Sequence, residues 1–120
     1  MANPNVVAVT SILAKTVLDA DVAASAVTLL TCASEKLCKI NSLIIANIDG
    51  TNAADISVWI TRSSADHYIA KSITVAAGST LLPIDKNMGL YLNESDILKI
   101  QASAAGDLSA VLSYEEIDDA

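Results

Sequence analysis

The chain is poor in the residue types on which most active sites depend. It has no phenylalanine, one tryptophan, three tyrosines, one histidine and two cysteines in 120 residues. One imidazole and two thiols are too few for the usual metal centres, and so few rings cannot form a base-stacking surface. No run of eighteen apolar residues occurs, so no membrane-spanning helix is expected. The sequence therefore predicts no metal, no cofactor and no membrane partner.

Positive charge is also scarce. Fourteen acidic residues against seven basic ones give a net charge of −7, which repels phosphate backbones, so we expect no nucleic-acid partner.

With 52% hydrophobic residues the chain can fold, and its length predicts one domain over residues 1–120. We expect a short N-terminal arm and an acidic C-terminal end, Glu115–Asp119, that is solvated and frayed. The N-terminus lacks the basic opening of a secretory signal, which indicates synthesis in a cytoplasm.

The candidate catalytic and ligating residues do not form a recognisable constellation. Cys32 and Cys38 have no companion pair and are expected to be reduced, buried thiols, although a bridge across a hairpin is an alternative. His67 falls in an expected hairpin loop with nothing to pair it with a nucleophile. The loop Asp49–Asp55 could hold a hard cation, but it lacks a bidentate acid, so an Asx turn is favoured. We expect no enzymatic activity.

Apolar residues recur with period two, and turn-forming clusters separate the segments about every ten residues. This spacing is typical of sandwiches and barrels. We predict all-β structure, an antiparallel β-sandwich of the jelly-roll type with about eight strands, some of the short segments merging. The segments are 5–10, 15–19, 25–32, 36–48, 54–62, 67–75, 79–84, 88–92, 96–103 and 107–116.

Two segments allow more detailed predictions. Ile56 and Val58 are expected to face the core, which sends Trp59 to the opposite face of the same strand. The second half of segment 36–48 is apolar at both parities, around Leu43 and Ile44, so we expect it to be covered on both faces.

Trp59 is the residue whose position favours an intermolecular contact. A large indole beside Thr61 would expose apolar area, and Tyr68 lies nearby if the flanking segments form a hairpin. Aromatic anchors are enriched at protein interfaces, so Trp59, Thr61 and Tyr68 are predicted to form one. The alternative is that Trp59 belongs to the core. Lysines within strand segments could discourage open-ended pairing of edge strands, and these are Lys15, Lys71 and Lys99.

Several stretches resemble small β-rich virion structural proteins of tailed bacteriophages of marine bacteria. The likeness covers nearly the whole chain and lies in strands and turns. It is carried by Met1–Val7, Ile40–Asp55, Ala76–Leu81, Tyr91–Leu98 and Ser113–Ile117. It transfers no functional residues.

The resemblance implies a non-enzymatic virion protein made in the host cytoplasm. A capsid decoration or cement protein is expected, which binds the major capsid protein or other virion proteins and stabilises the shell. A homo-oligomer is also expected, and a trimer would match the local three-fold axes of a shell. The alternatives are a neck, tail or fibre accessory protein, or a β-sandwich module that binds a carbohydrate or receptor.

Overall fold

A computed structural model describes residues 5–118, which form nine β-strands. No helix within that range is long and apolar enough to cross a membrane. The strands are β1 Ser11–Asp19, β2 Val27–Thr31, β3 Leu37–Asn47, β4 Ala54–Arg62, β5 Ala65–Val75, β6 Thr80–Ile84, β7 Leu90–Leu92, β8 Ile97–Ala102 and β9 Leu108–Asp118.

The strands form two antiparallel sheets. Sheet A has the order β1-β9-β3-β6, and the short β7 also pairs with β3. Sheet B has the order β2-β8-β4-β5. Most connections cross from one sheet to the other, which gives the jelly-roll arrangement. The predicted all-β sandwich is confirmed, with nine strands where about eight were expected. β6 and β7 lie end to end along β3.

The core lies between the two sheets. The predicted alternation is confirmed in β4, where Ile56 and Val58 have no solvent exposure. The same period places Leu98 and Ile100 of β8 in the core. Burying an aliphatic side chain of this size stabilises the fold by about 1.5–3 kcal/mol. Leu108 and Leu112 follow the same period on β9. On β3 a bulge between Ile40 and Ser42 shifts the inward positions, so that Ile40, Leu43 and Ile45 all face the core.

Both ends of the chain differ from the prediction. The expected strand 5–10 is a turn, in which the Asn5 side chain accepts the Val7 backbone N–H at 3.0 Å. The expected strand 15–19 begins four residues earlier, at Ser11. The acidic end was expected to be frayed, but β9 continues as far as Asp118 and pairs with β1, where Asp118 lies opposite Ser11. Asp119 lies outside the described residues. The earlier start of β1 and the later end of β9 have one cause, since these two strand ends pair with each other.

The β4–β5 hairpin is tighter than the predicted loop of residues 63–66. Only Ser63 and Ser64 separate the strands, and their φ angles are 52° and 64°. Positive φ at both central residues is the mark of a type I′ turn, which normally contains Asn-Gly. Two serines therefore adopt a backbone conformation that costs a residue with a Cβ atom about 1 kcal/mol.

The two cysteines are free, buried thiols. Cys32 follows β2 in sheet B and Cys38 lies on β3 in sheet A, and the two side chains meet in the core. The Cys32 thiol donates to the Lys36 carbonyl at 3.3 Å. The hydrogen bond that the Cys38 thiol donates to Cys32, together with burial, raises the pKa of Cys38 far above its usual range, so this thiol stays protonated.

Replacing Ser63 with Asn and Ser64 with Gly should raise the free energy of unfolding by about 1 kcal/mol, because both residues tolerate the positive φ of a type I′ turn. Urea denaturation monitored by circular dichroism measures the change. Ser109→Gly in β9, where the backbone is extended, is the control and should destabilise the protein. An unchanged or lower stability of the Asn-Gly variant would contradict the assignment of strain to this turn.

Candidate functional site: the outward faces of the sandwich

The predicted contact residue Trp59 lies on the outward face of sheet B. Its register partners are Tyr68 on β5 and Lys99 on β8. The neighbouring Val58 points the other way, into the core, and Trp59 is not part of the core cluster. Strand alternation thus places the indole on the predicted side of the sheet.

Trp59 is nevertheless only 4% exposed, because other side chains cover it on that face. The Tyr68 ring packs against the indole, with 5.3 Å between centroids and an interplanar angle of 33°. The Lys71 Nζ lies 4.9 Å from the centroid of the Tyr68 ring, within cation–π range. We call Trp59, Tyr68 and Lys71 the aromatic cluster. Tyr68, at 46% exposure, is the ring that the cluster presents to solvent.

The indole N–H of Trp59 is buried and has no hydrogen-bond partner within residues 5–118. Leaving a buried donor unpaired costs about 1–3 kcal/mol. Thr61, the third predicted contact residue, is half-buried and donates its hydroxyl to Asp66 Oδ1 at 2.7 Å. The structure therefore brings Trp59, Thr61 and Tyr68 together on two paired strands.

A shallow polar groove of about 220 Å³ adjoins the aromatic cluster. Part of its hydrogen-bonding capacity is already used. Asp55 accepts the Thr74 hydroxyl at 2.8 Å, and Ser57 accepts the Ser72 backbone N–H at 3.0 Å. The groove contains no pairing of a nucleophile with a base. Its lining residues are Asp55, Ser57, Tyr68, Lys71, Ser72, Gln101, Ala102 and Ser103.

A second, more apolar cavity of about 270 Å³ is lined by residues of both sheets and includes His67. The imidazole is exposed on β5, far in sequence from both cysteines, which lie in the core instead. No serine or cysteine lines this cavity, so it contains no nucleophile for His67 to activate. The lining residues are Ile60, Arg62, His67, Leu90 and Tyr91.

Arg62 at the rim of this cavity forms a bidentate ion pair with Asp96. The Nε–Oδ1 distance is 2.7 Å and the Nη2–Oδ2 distance is 2.6 Å. The Asp96 side chain is only 2% exposed and also accepts the Asn93 backbone N–H. The guanidinium holds the pKa of Asp96 below its usual range, and the Asn93 N–H acts in the same direction, although burial opposes both. This pair ties the end of β4 to the turn before β8.

The loop at Asp49 forms the favoured Asx turn. Asp49 Oδ1 accepts the backbone N–H groups of Thr51 and Asn52, and these bonds lower its pKa to about 2. Asp55 bonds to Thr74 on the adjacent strand, so the two carboxylates serve different contacts. No cluster of three or more His, Cys, Asp or Glu side chains suited to a metal ion occurs in the described part of the chain.

The outward face of sheet A carries a feature that the sequence analysis missed. Leu18 on β1 and Ile44 on β3 both pair with Val111 on β9. A bulge in β6 places Leu82 beside Ile44. Leu18, Val111, Ile44 and Leu82 therefore form a continuous line across four strands, which we call the apolar row.

Around the apolar row this face is only partly covered, since Ile44 and Val111 are half-buried and Leu18 is 73% exposed. The expectation that the second half of β3 is covered on both faces is wrong. Ile44 belongs to the apolar row and is half-buried there. The available sequence signal was that residues 43–46 are apolar at both odd and even positions. This pattern does not distinguish a face covered by other elements from an exposed apolar face.

Neither a protein-family model nor a curated protein sequence matches the chain significantly. Solved structures do share its fold. A subunit of the Bacillus endospore appendages, described as disulfide-linked pili, superposes with a TM-score of 0.53 at 17% identity, over 92% of this chain and 90% of that one. The VP2 subviral particle protein of infectious bursal disease virus superposes with a TM-score of 0.50 at 13% identity, over 92% of this chain and 33% of that one. At these identities the likeness establishes the fold, and the chain spans a third of the VP2 chain.

Replacing Tyr68 with Ala should uncover Trp59, the one tryptophan, and shift its fluorescence emission to longer wavelength. The free energy of unfolding should fall by about 1 kcal/mol as the aromatic pair is lost. The control is Tyr91→Ala, because Tyr91 is 41% exposed on the outward face of sheet A. Equal emission spectra for both variants would contradict the cover that Tyr68 provides.

Replacing Asp96 with Asn should lower the free energy of unfolding by about 2 kcal/mol at pH 7, because the charge-assisted bonds to Arg62 are lost. The folded-state pKa of Asp96 is depressed. The wild-type advantage is therefore present above the unfolded pKa of about 3.9 and disappears as pH falls through the folded value.

Urea denaturation at pH 7 and pH 3 tests this dependence. Asp85→Asn is the matched control, since Asp85 also accepts a backbone N–H within a turn, from Asn87 at 2.9 Å, and its substitution should cost less. A wild-type advantage over Asp96→Asn that stays constant between the two pH values would contradict the account.

Proposed function

We propose that this chain is a non-enzymatic structural protein of a bacteriophage virion, a decoration or cement protein that binds the capsid shell and stabilises it. Its partner in this role is the major capsid protein or another protein of the particle. The protein acts by docking a preformed rigid surface, and no step of the role needs a bound cofactor.

The fold is compatible with this role. Two of the structures that it resembles come from a pilus and from a subviral particle, and both are protein assemblies. A small jelly roll has two broad faces and loops at both ends, all of which are available for contacts with other subunits. The resemblance of the sequence to virion proteins of tailed phages supports the same class of function.

The observation that carries the proposal is that the outward faces of both sheets present apolar or aromatic side chains to solvent. A soluble monomer rarely leaves a contiguous apolar line across a whole sheet. Here the apolar row crosses sheet A and the aromatic cluster stands on sheet B. His67 lines a cavity that contains no serine or cysteine. Contact with other subunits is the use that these surfaces fit.

The proposed contact with the shell is centred on the aromatic cluster and includes the three predicted contact residues, Trp59, Thr61 and Tyr68. Tyr68 offers a ring that is half exposed and already held in place by Trp59 and Lys71, so docking loses little side-chain entropy. A small movement of Tyr68 would let a backbone carbonyl of the shell accept the unpaired indole N–H of Trp59. Aromatic residues surrounded by polar groups are typical of interface hot spots.

The carbohydrate-binding alternative has less support. The polar groove beside Tyr68 offers hydrogen-bonding groups, but the ring already contacts Trp59 and carries the Lys71 ammonium group. A sugar could stack on Tyr68 only after displacing Lys71. A neck or tail accessory role would use the same surfaces as shell decoration, and it differs in the location of the protein on the particle.

The test is cosedimentation of the purified protein with shells of the encoding phage from which this protein has been removed. Wild-type protein should pellet with the shells and saturate at a fixed ratio to the major capsid protein. Tyr68→Ala should weaken binding at least tenfold. Tyr91→Ala, which removes a similarly exposed ring from the opposite sheet, should bind within twofold of wild type.

The outcomes separate the candidates. Failure of the wild-type protein to bind shells would overturn the decoration role, and binding to isolated tails instead would favour the tail role. Equal loss in both tyrosine variants would overturn the assignment of the contact to the aromatic cluster while leaving decoration intact.

A further inference from the structure

β1 has an edge with no partner, and it differs from the other edges of the two sheets. It pairs with β9 on one side, and no strand within residues 5–118 pairs with its other side. An unpaired edge presents free N–H and C=O groups to any strand that approaches. Folded proteins usually protect such edges with bulges, prolines, short strands or charges.

The other edge strands carry these protections. β2 has five residues and a register shift between Thr28 and Leu30. β5 has two register shifts against β4, and Ser72 within it has a φ of 53°. β6 is short and contains Pro83, and β7 has three residues. Each of these features disrupts the regular edge that strand addition requires.

β1 is regular and apolar by comparison. Its nine residues pair with β9 in continuous register, without a bulge or a proline. Ile12 and Leu13 are half exposed and Leu18 is 73% exposed. Lys15 is the one cation on the strand, and it forms an ion pair with Glu116 at 3.2 Å within the same chain. The charge that could repel a second strand is therefore partly neutralised.

We propose that the free edge of β1 pairs with β1 of a second copy of this chain, antiparallel about a two-fold axis through Val17. This register places Lys15 of each copy opposite Asp19 of the other, so that two pairs of opposite charges face each other. An axis through Lys15 would instead set the two ammonium groups against each other, which is destabilising. Both sheets A would join into one continuous sheet, with Leu18 of each copy near its centre.

Lys15 and Asp19 cannot pair with each other within one chain, where Lys15 contacts Glu116 and Asp19 accepts the Asp21 backbone N–H. Four residues of extended strand separate Lys15 from Asp19 by about 13 Å, which is beyond the reach of a direct ion pair. A second copy is therefore the occupant whose charge pattern matches this edge. This contact uses a different surface from the aromatic cluster, so it holds for the isolated protein whether or not the shell-docking proposal is correct.

The test is sedimentation equilibrium of the full chain between about 1 and 200 µM, combined with charge reversal. Wild type should dimerise. Lys15→Glu and Asp19→Lys should each weaken the dimer at least tenfold, because like charges then face each other across the axis. The double variant Lys15→Glu/Asp19→Lys should restore it. Loss of the Glu116 contact affects the single and the double Lys15 variants equally, so only an intermolecular pairing predicts the recovery.

A cross-link provides a second measurement that does not depend on the charge variants folding. Val17→Cys should form a disulfide-linked dimer under copper-phenanthroline oxidation, since the two copies of residue 17 oppose each other at the axis. Ile12→Cys, on the exposed part of the same strand, is the control and should cross-link much more slowly. Four results would each overturn the proposal. They are a wild-type protein that is monomeric at 200 µM, a wild-type trimer, a folded double variant that stays monomeric, and faster cross-linking at residue 12 than at residue 17.

Discussion

The burial of one face of each sheet against the other is the interaction on which the rest of the structure depends. Ile40 and Leu43 from sheet A meet Ile56, Val58 and Ile100 from sheet B, and all five are almost or completely inaccessible to solvent. Between the bulges, period-two alternation then fixes the direction of the intervening side chains. The outward position of Trp59 and the alignment of the apolar row are both consequences of that packing.

The same constraint explains where function can reside. A protein with one core and two used inner faces has only its outer faces, loops and edges for contacts with partners. Each kind of surface has its own features in this molecule. Sheet B offers a preformed aromatic cluster beside a polar groove, sheet A offers a line of aliphatic side chains, and β1 offers unpaired backbone groups.

The sequence was sufficient to predict the features that depend on local pattern, such as strand bounds and the face on which a side chain lies. Segments 54–62 and 96–103 correspond to β4 and β8 almost residue for residue, because both alternate regularly and end at strong turn signals. The side of β4 on which Trp59 lies followed from the same alternation. The hairpin that brings Tyr68 beside Trp59 was also expected, although the Ser63–Ser64 turn proved tighter than the predicted loop.

Features that depend on distant pairing could not be predicted in this way. The beginning of β1 depends on residues 115–118, about one hundred positions away, and no local signal marks it. The cover over Trp59 depends on bulges in β5 that bring Lys71 over the Tyr68 ring. The apolar row requires the register of four strands at once, so its residues look like ordinary strand residues when each segment is considered alone.

Single-particle electron microscopy of virions with and without this chain tests the central claim most directly. The account predicts a density of the size of this jelly roll, repeated over the shell, that disappears when the chain is absent. Unchanged particles, or a density at one vertex alone, would contradict the account.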